Sequence, residues 1–191
     1  MSLPEALRAA RRRHGLAETD PTHLLPAYRG RIAPLPAARR RAFTRHLEAA
    51  IAEAFAEPTL PATPPPSLPA DQEALAGACC ACCRGHCCAR GGEHAYLDAD
   101  TIRRLRRAEP TLTRAAILAR YRAALGPETY EASCVFHGIG GCRLDRASRS
   151  DLCNSFLCND LKAALRHPGP ALLAAREEDE LRRAVPYRPR G

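Results

Sequence analysis

Ten cysteines in two groups are the residues of this chain whose type and spacing favour chemistry. Six lie in the stretch CCACCRGHCCARGGEH at residues 79–94, and the others lie downstream at Cys134, Cys142, Cys153 and Cys158. Thiolates are soft donors that bind zinc and iron, and they lose their protons on binding. In a reducing compartment, cysteines gathered in this way suit a metal better than disulfides. The sequence therefore predicts a metal site.

The spacing within the first group leaves two registers open. Cys80 and Cys83 are separated by two residues, as are Cys79 and Cys82, and either spacing lets both thiolates of one turn reach a single ion. Eight thiolates in the two groups would be enough for two tetrahedral zinc sites, for an iron–sulfur cluster with a zinc ion, or for a cluster with spare thiols.

The order of the cysteines resembles that of the YkgJ-type cysteine-cluster proteins, a family described as zinc- or iron-chelating domains, with flagellin lysine N-methylase among its broader relatives. The family's first motif, C-x2-C followed by C-C and an acidic-capped helix, is matched from Cys80 to Cys88 and by HAYLDADTIRRL after it. The second motif is matched by Cys134-Val135-Phe136, Gly141-Cys142, Arg149-Ser150-Asp151-Leu152-Cys153 and Cys158. The resemblance covers residues 77–160.

The resemblance implies eight ligands for zinc or iron, including an iron–sulfur cluster, and it favours the later register of the C-x2-C pair. The implied metal ligands are Cys80, Cys83, Cys87, Cys88, Cys134, Cys142, Cys153 and Cys158. Ser150 stands where the family has proline, which we expect to loosen one turn. The nearby residues His86, His94 and His137 are candidate ligands, although a hydrogen-bonded histidine is the favoured interpretation of each.

Three functions are consistent with these residues. The leading hypothesis is a small metal-binding protein whose cysteine cluster has a structural or redox role. The second is an enzyme that transfers a methyl group from S-adenosylmethionine to a protein lysine, which the distant relative alone suggests; the chain shows no glycine-rich loop after a strand of the kind that binds such a cofactor. The third is a zinc-stapled adaptor for nucleic acid or protein. The sequence does not decide whether the protein is an enzyme.

The formal charge of +8 points toward an anionic partner, but its distribution does not. Lys162 is the only lysine, and the arginines are spread along the chain without the aromatic residues that stack on bases. We therefore expect no nucleic-acid partner, and a protein partner stays open. The N-terminal stretch lacks a signal-like apolar run, and no later stretch is apolar enough to span a bilayer, so we expect a cytoplasmic protein without membrane contact.

The elements that must position the cysteines are mainly helices. Apolar residues recur at helical spacing in residues 37–57, and cap and stop signals predict further helices at 4–14, 98–108, 113–125, 159–166 and 171–184, with irregular chain at 20–36. Two short strands joined by HGIGG are predicted within 129–145. The predicted fold is mainly α: a small helical domain with a two-stranded hairpin, stapled by the metal site, plus an N-terminal helical arm. The predicted divisions are the arm at 1–57, a proline-rich linker at 58–70, the cysteine-cluster domain at 71–170, and a C-terminal helix and tail at 171–191.

Overall fold

The computed structural model describes residues 2–56 and 68–189, which form two compact units that alternate along the chain. Among these residues, unit 1 contains 2–29, 68–86 and 157–189, and unit 2 contains 30–56 and 87–156. Most of the predicted linker at 58–70 lies outside the described residues.

The secondary structure is mixed. In chain order the helices and strands are α1 (Leu3–Arg13), β1 (Thr22–Pro26), β2 (Ile32–Pro34), α2 (Ala37–Ala56), α3 (Ala70–Cys83), α4 (Ala99–Ala108), α5 (Arg114–Ala123), β3 (Glu128–Tyr130), β4 (His137–Gly138), β5 (Gly141–Cys142), α6 (Asp151–Ser155), α7 (Asn159–Ala164), β6 (Ala171–Glu177) and β7 (Glu180–Tyr187). Short 3-10 helices span His86–Arg90 and Arg146–Ser148. None of the described helices is long and apolar enough to cross a membrane.

The prediction of a mainly α fold is wrong, because the strands form three separate sheets. Strands β1, β6 and β7 make one sheet, in which β1 runs parallel and β7 antiparallel to the central strand β6. Strands β2 and β3 pair antiparallel, and so do β4 and β5. The described chain is therefore an α/β protein rather than a helical domain with a single hairpin.

The central strand β6 organises unit 1, and it lies where a C-terminal helix was predicted. Its residues point alternately to two apolar clusters. Leu172 packs with Ala10 of α1 and with Leu16, whereas Leu173 packs with Leu75 of α3 and with residues of α7. A strand buried on both faces reads in sequence as a continuous apolar run, which is why ALLAA was mistaken for the first turn of a helix.

Unit 2 is built around α2, α4 and α5, and these three predicted helices are confirmed. Asp98 and Thr113 cap α4 and α5 by accepting hydrogen bonds from the backbone N–H groups of Thr101 and Ala116. The core of this unit contains fully buried aromatic residues, and Phe43 of α2 meets Phe136 edge-to-face with ring centroids 5.0 Å apart.

Three further local predictions need correction. The chain at 20–36, predicted to be irregular, contains β1 and β2, because each strand gains a partner from a distant part of the sequence. The hairpin predicted within 129–145 exists, but its strands are only His137–Gly138 and Gly141–Cys142, and Cys134 precedes them. Cys153 lies in the short helix α6, and no helix was predicted there.

Candidate functional site

The ten cysteines divide equally between the two compact units. The Cys79 group belongs to unit 1 and consists of Cys79, Cys80, Cys82, Cys83 and Cys158. The Cys87 group belongs to unit 2 and consists of Cys87, Cys88, Cys134, Cys142 and Cys153. All ten are free thiols. The stretch at 79–94, which looks like one motif in sequence, is thus divided between two units.

The division occurs where α3 ends. Arg84 adopts the left-handed conformation with φ of 58°, and Gly85 follows with φ of 76°, so the backbone cannot continue as a helix. The Gly85 N–H donates to the Sγ atom of Cys83 at 3.3 Å, which fixes this thiol at the end of the helix. No helix was predicted at residues 70–83, and a non-glycine residue at positive φ leaves little trace in sequence, so neither α3 nor its end was predicted.

In the Cys79 group the two possible registers differ in burial. Cys79 and Cys82 point into the apolar cluster of α3, α7 and β6 and are 1% and 3% exposed, whereas Cys80 is exposed and Cys83 is half-buried. Cys158 precedes α7, and its Sγ atom accepts a hydrogen bond from the Leu161 N–H at 3.4 Å. The thiols at the C-terminal end of α3 and the thiol at the N-cap of α7 therefore belong to the same unit.

Burial controls the protonation of the inner pair of this group. Loss of solvent raises the pKa of Cys79 to about 12, with a further increase from neighbouring thiols that include Cys158. Burial also raises the pKa of Cys82 to about 11, and its thiol donates a hydrogen bond to the Leu173 carbonyl at 3.5 Å. Both residues are therefore protonated thiols at neutral pH when no metal is bound.

The Cys87 group is assembled from four separate segments of unit 2. Cys87 and Cys88 lie in the first 3-10 helix, Cys134 lies in the turn before β4, Cys142 lies on β5, and Cys153 lies on α6. These segments are far apart in sequence, so only the fold brings their thiols into one region.

The carbonyl of Cys88 holds two of these segments together. It accepts hydrogen bonds from the N–H of Cys134, the hydroxyl of Ser133 and the N–H of Gly91, each at 3.0 Å. A Cβ atom on Gly91 would lie only 2.7 Å from the Cβ atom of Cys134. The absence of a side chain at position 91 therefore allows the turn that contains Cys134 to approach the 3-10 helix. Sequence reasoning missed this role of Ser133 and Gly91.

Ser150 positions the last thiol of the group. Its hydroxyl accepts a hydrogen bond from the N–H of Cys153 at 3.0 Å and so caps α6, and Ser150 itself is 1% exposed. Arg104 of α4 donates to the carboxylate of Asp151 at 2.6 Å, in the first turn of the same helix. Ser150 therefore anchors this turn by capping α6, whereas we expected it to loosen the turn.

The thiols of the Cys87 group influence one another electrostatically. A hydrogen bond from the Cys88 thiol lowers the pKa of Cys87, and the same bond and burial raise the pKa of Cys88. Burial raises the pKa of Cys134 to about 12, and the neighbouring thiols of Cys142 and Cys153 add to this effect. Each of the five thiols therefore lies near at least one other thiol of the group.

A cationic side chain adjoins the same region. The charge of Arg149 acts to lower the pKa values of Cys87 and Cys153. In Cys153 the withdrawal of solvent around the sulfur is the larger effect and raises its pKa, although the residue as a whole is exposed. The guanidinium group of Arg149 therefore favours the deprotonated, metal-binding form of these two thiols.

Two of the three candidate histidines are engaged in hydrogen bonds. His137 is fully buried, and its Nδ1 atom lies 2.8 Å from the hydroxyl of Ser133. The Nδ1 atom of His94 accepts a hydrogen bond from the Tyr96 N–H at 2.9 Å. His86 lies edge-on to Tyr28 at 6.3 Å between ring centroids. These contacts suit histidines with structural roles.

Within residues 2–56 and 68–189, no group of three or more His, Cys, Asp or Glu side chains is positioned to hold one metal ion. No family model, curated protein or solved structure matches the chain. The resemblance to the YkgJ-type proteins therefore stays a prediction.

Proposed function

We propose that this chain is a thiolate metal-binding protein with one metal centre in each cysteine group. The observation that carries the proposal is that four separate segments of unit 2 bring five thiols near enough to influence one another electrostatically. A single buried cysteine is commonly a small apolar residue. Five that meet in one region, beside a cationic side chain, are better explained as a ligand set.

The donor set of each group fits zinc or an iron–sulfur centre. The Cys87 group contains five of the predicted ligands, and a tetrahedral site needs four. The Cys79 group contains the predicted ligands Cys80, Cys83 and Cys158, and the Sγ atom of Cys79, which shares their electrostatic environment, would complete four. Binding requires the thiol side chains in each group to turn toward one another and to lose their protons.

The proposed role of the metal is structural. A bound ion cross-links the segments that supply its thiolates and so adds to the folding free energy. In the Cys87 group these segments are already held by the hydrogen bonds to the Cys88 carbonyl and by the cap at Ser150. These hydrogen bonds position the thiols, and the positive charge of Arg149 favours the thiolate forms of Cys87 and Cys153.

The test is a metal count on protein purified without oxygen, together with an absorption spectrum. We expect two metal centres per chain. Zinc in a colourless protein would indicate tetrahedral thiolate sites, whereas iron with sulfide and a visible absorption band would indicate a cluster.

Matched variants assign the centres to the two groups. Cys142→Ser and Cys83→Ser each remove one half-buried thiol, one from each group, so each variant is the control for the other. Each should lose the metal of its own group and keep that of the other. Wild-type protein that holds neither zinc nor iron after expression with both metals would overturn the proposal. Loss of the same ion in both variants would overturn the assignment of separate centres.

A further inference from the structure

A second candidate site lies on unit 2, and no cysteine lines it. A pocket of about 500 Å³, here called the arginine pocket, is lined by Arg40, Arg41, Thr44 and Arg45 of α2, Arg122 of α5, and Leu125. Its volume lies in the range of pockets that hold small organic ligands. Four of the six lining residues are arginines and none is acidic.

Three arginines of this pocket differ from the ion-paired arginines of the same unit. Five arginines of unit 2 outside the pocket meet carboxylates, in the pairs Arg31–Glu131, Arg39–Glu93, Arg103–Asp100, Arg104–Asp151 and Arg120–Glu109. Arg41, Arg45 and Arg122 are exposed, and within the part of the chain that the structure describes their side chains have no ion pair or hydrogen bond. The lining of the pocket therefore carries positive charge that no acidic residue of the lining offsets.

One arginine helps to hold the pocket in shape. The guanidinium of Arg40 is half-buried and donates to the Gly126 carbonyl at 2.6 Å, which ties α2 to the end of the segment that follows α5. Arg40 is thereby fixed, whereas Arg41, Arg45 and Arg122 keep their donors available. Uncompensated like charges raise the electrostatic energy of a pocket, and an anionic ligand removes that cost.

The geometry points to a phosphate-bearing ligand. Guanidinium groups present planar, paired N–H donors that match phosphate oxygens, and they do so better than any other side chain. We propose that the arginine pocket binds a small organic di- or triphosphate, whose phosphates are held by Arg41, Arg45 and Arg122. The pocket is too large for one phosphate group alone, and Leu125 offers an apolar wall to the organic part.

A nucleic-acid strand fits this pocket less well. No aromatic residue lines it, so successive bases would have no stacking platform. The proposal concerns a small molecule, and it does not depend on the metal centres, because no residue of either cysteine group contributes to the lining.

The test is calorimetric titration of the full chain with inorganic pyrophosphate and, separately, with a nucleoside triphosphate. Both should bind, and both should bind more weakly as the salt concentration rises. The double variant Arg45→Gln, Arg122→Gln should lose about tenfold or more in affinity, since it removes charged hydrogen bonds to phosphate. Tighter binding of the triphosphate than of pyrophosphate would support a contact with the organic part.

The matched control is Arg12→Gln, Arg13→Gln. These two arginines are exposed at the end of α1 in unit 1, so the control changes the net charge by the same amount at a surface outside the pocket. It should leave the affinity unchanged. Three results would overturn the proposal: no binding at millimolar ligand, equal losses in both double variants, or tighter binding of a short single-stranded oligonucleotide that displaces the triphosphate.

Discussion

The close approach of Gly91 to Cys134 makes a sharp test of how the Cys87 group is assembled. In Gly91→Ala the new Cβ atom would lie 2.7 Å from the Cβ atom of Cys134, about 0.8 Å inside comfortable carbon–carbon contact. Neither atom can rotate away, because each is fixed by its own backbone. One of the two segments must therefore move, and an overpacked buried site of this kind costs about 1–3 kcal/mol.

The assay is thermal unfolding followed by circular dichroism, with a metal count on the same samples. For a chain of this length a loss of about 2 kcal/mol lowers Tm by about 4–8 °C. Because Cys134 shifts, the variant should also retain less metal in the Cys87 group, while the Cys79 group keeps its own.

The matched control is Gly77→Ala. Gly77 lies inside α3, where an added Cβ atom would meet nothing within 4 Å, so alanine should stabilise the helix by about 0.5–1 kcal/mol. Gly138→Ala offers an intermediate case, because its nearest neighbour is the flexible guanidinium end of Arg143 at 2.7 Å. A Gly91→Ala protein with wild-type Tm and full metal content would refute the reasoning.

Three further predictions concern single side chains. Tyr121→Phe removes the hydrogen bond from the buried hydroxyl to the Ser148 carbonyl at 2.7 Å and should lower the free energy of unfolding by about 1–2 kcal/mol in urea titrations; an unchanged midpoint would contradict this. The backbone N–H of Ser148 lowers the pKa of Asp145, so the stability from this contact is present above the unfolded pKa of about 4 and is lost as pH falls through the lower folded value. In Asp145→Asn the free energy of unfolding should therefore fall less than in the wild-type protein between about pH 5 and 2. An equal fall in the two proteins would argue against the contact. Cys79→Ser places a hydroxyl in the apolar cluster of unit 1 and should lower the free energy of unfolding of the metal-free protein by about 1–3 kcal/mol, whereas Cys79→Ala, which buries no polar group, should lower it less; equal losses would contradict this.

Local signals in the sequence predicted the helices of unit 2 well. In the apolar stripe of α2, Phe43 and Leu47 are fully buried, as their helical spacing predicts. Helices α4 and α5 begin directly after the capping residues Asp98 and Thr113, as the predicted boundaries at 98 and 113 require. These features depend on neighbours within one or two turns, so the sequence contains nearly all the information that they need.

The strands could not be predicted in the same way. Strand β1 exists because it pairs in parallel with β6, and its partner lies about 150 residues later in the chain, as the register of Thr22 with Leu172 shows. Strand β2 likewise depends on β3. Nothing near either segment in sequence specifies its partner, and both segments contain proline, which favours an irregular interpretation.

The sequence predicts which cysteines are candidate metal ligands, but it does not predict which of them are neighbours in the fold. The spacing of the cysteines indicated which thiols to consider, yet it treated residues 79–94 as one motif. The left-handed turn at Arg84 and Gly85 separates Cys83 from Cys87 into different units, and only the fold reveals that Cys158 accompanies the former and Cys134 the latter. Sequence distance was a poor guide to which thiols are neighbours.

The apolar core of unit 2 determines where Cys134 of the Cys87 group lies. Cys134 is followed directly by Val135 and Phe136, which are both fully buried, and the Phe136 ring packs against Phe43 and Tyr121. The thiol is thus attached to the most deeply buried segment of unit 2, and its position follows from packing that involves no cysteine. A metal bound by Cys134 would therefore be cross-linked directly to the apolar core of unit 2, and its binding free energy would add to the stability of that core.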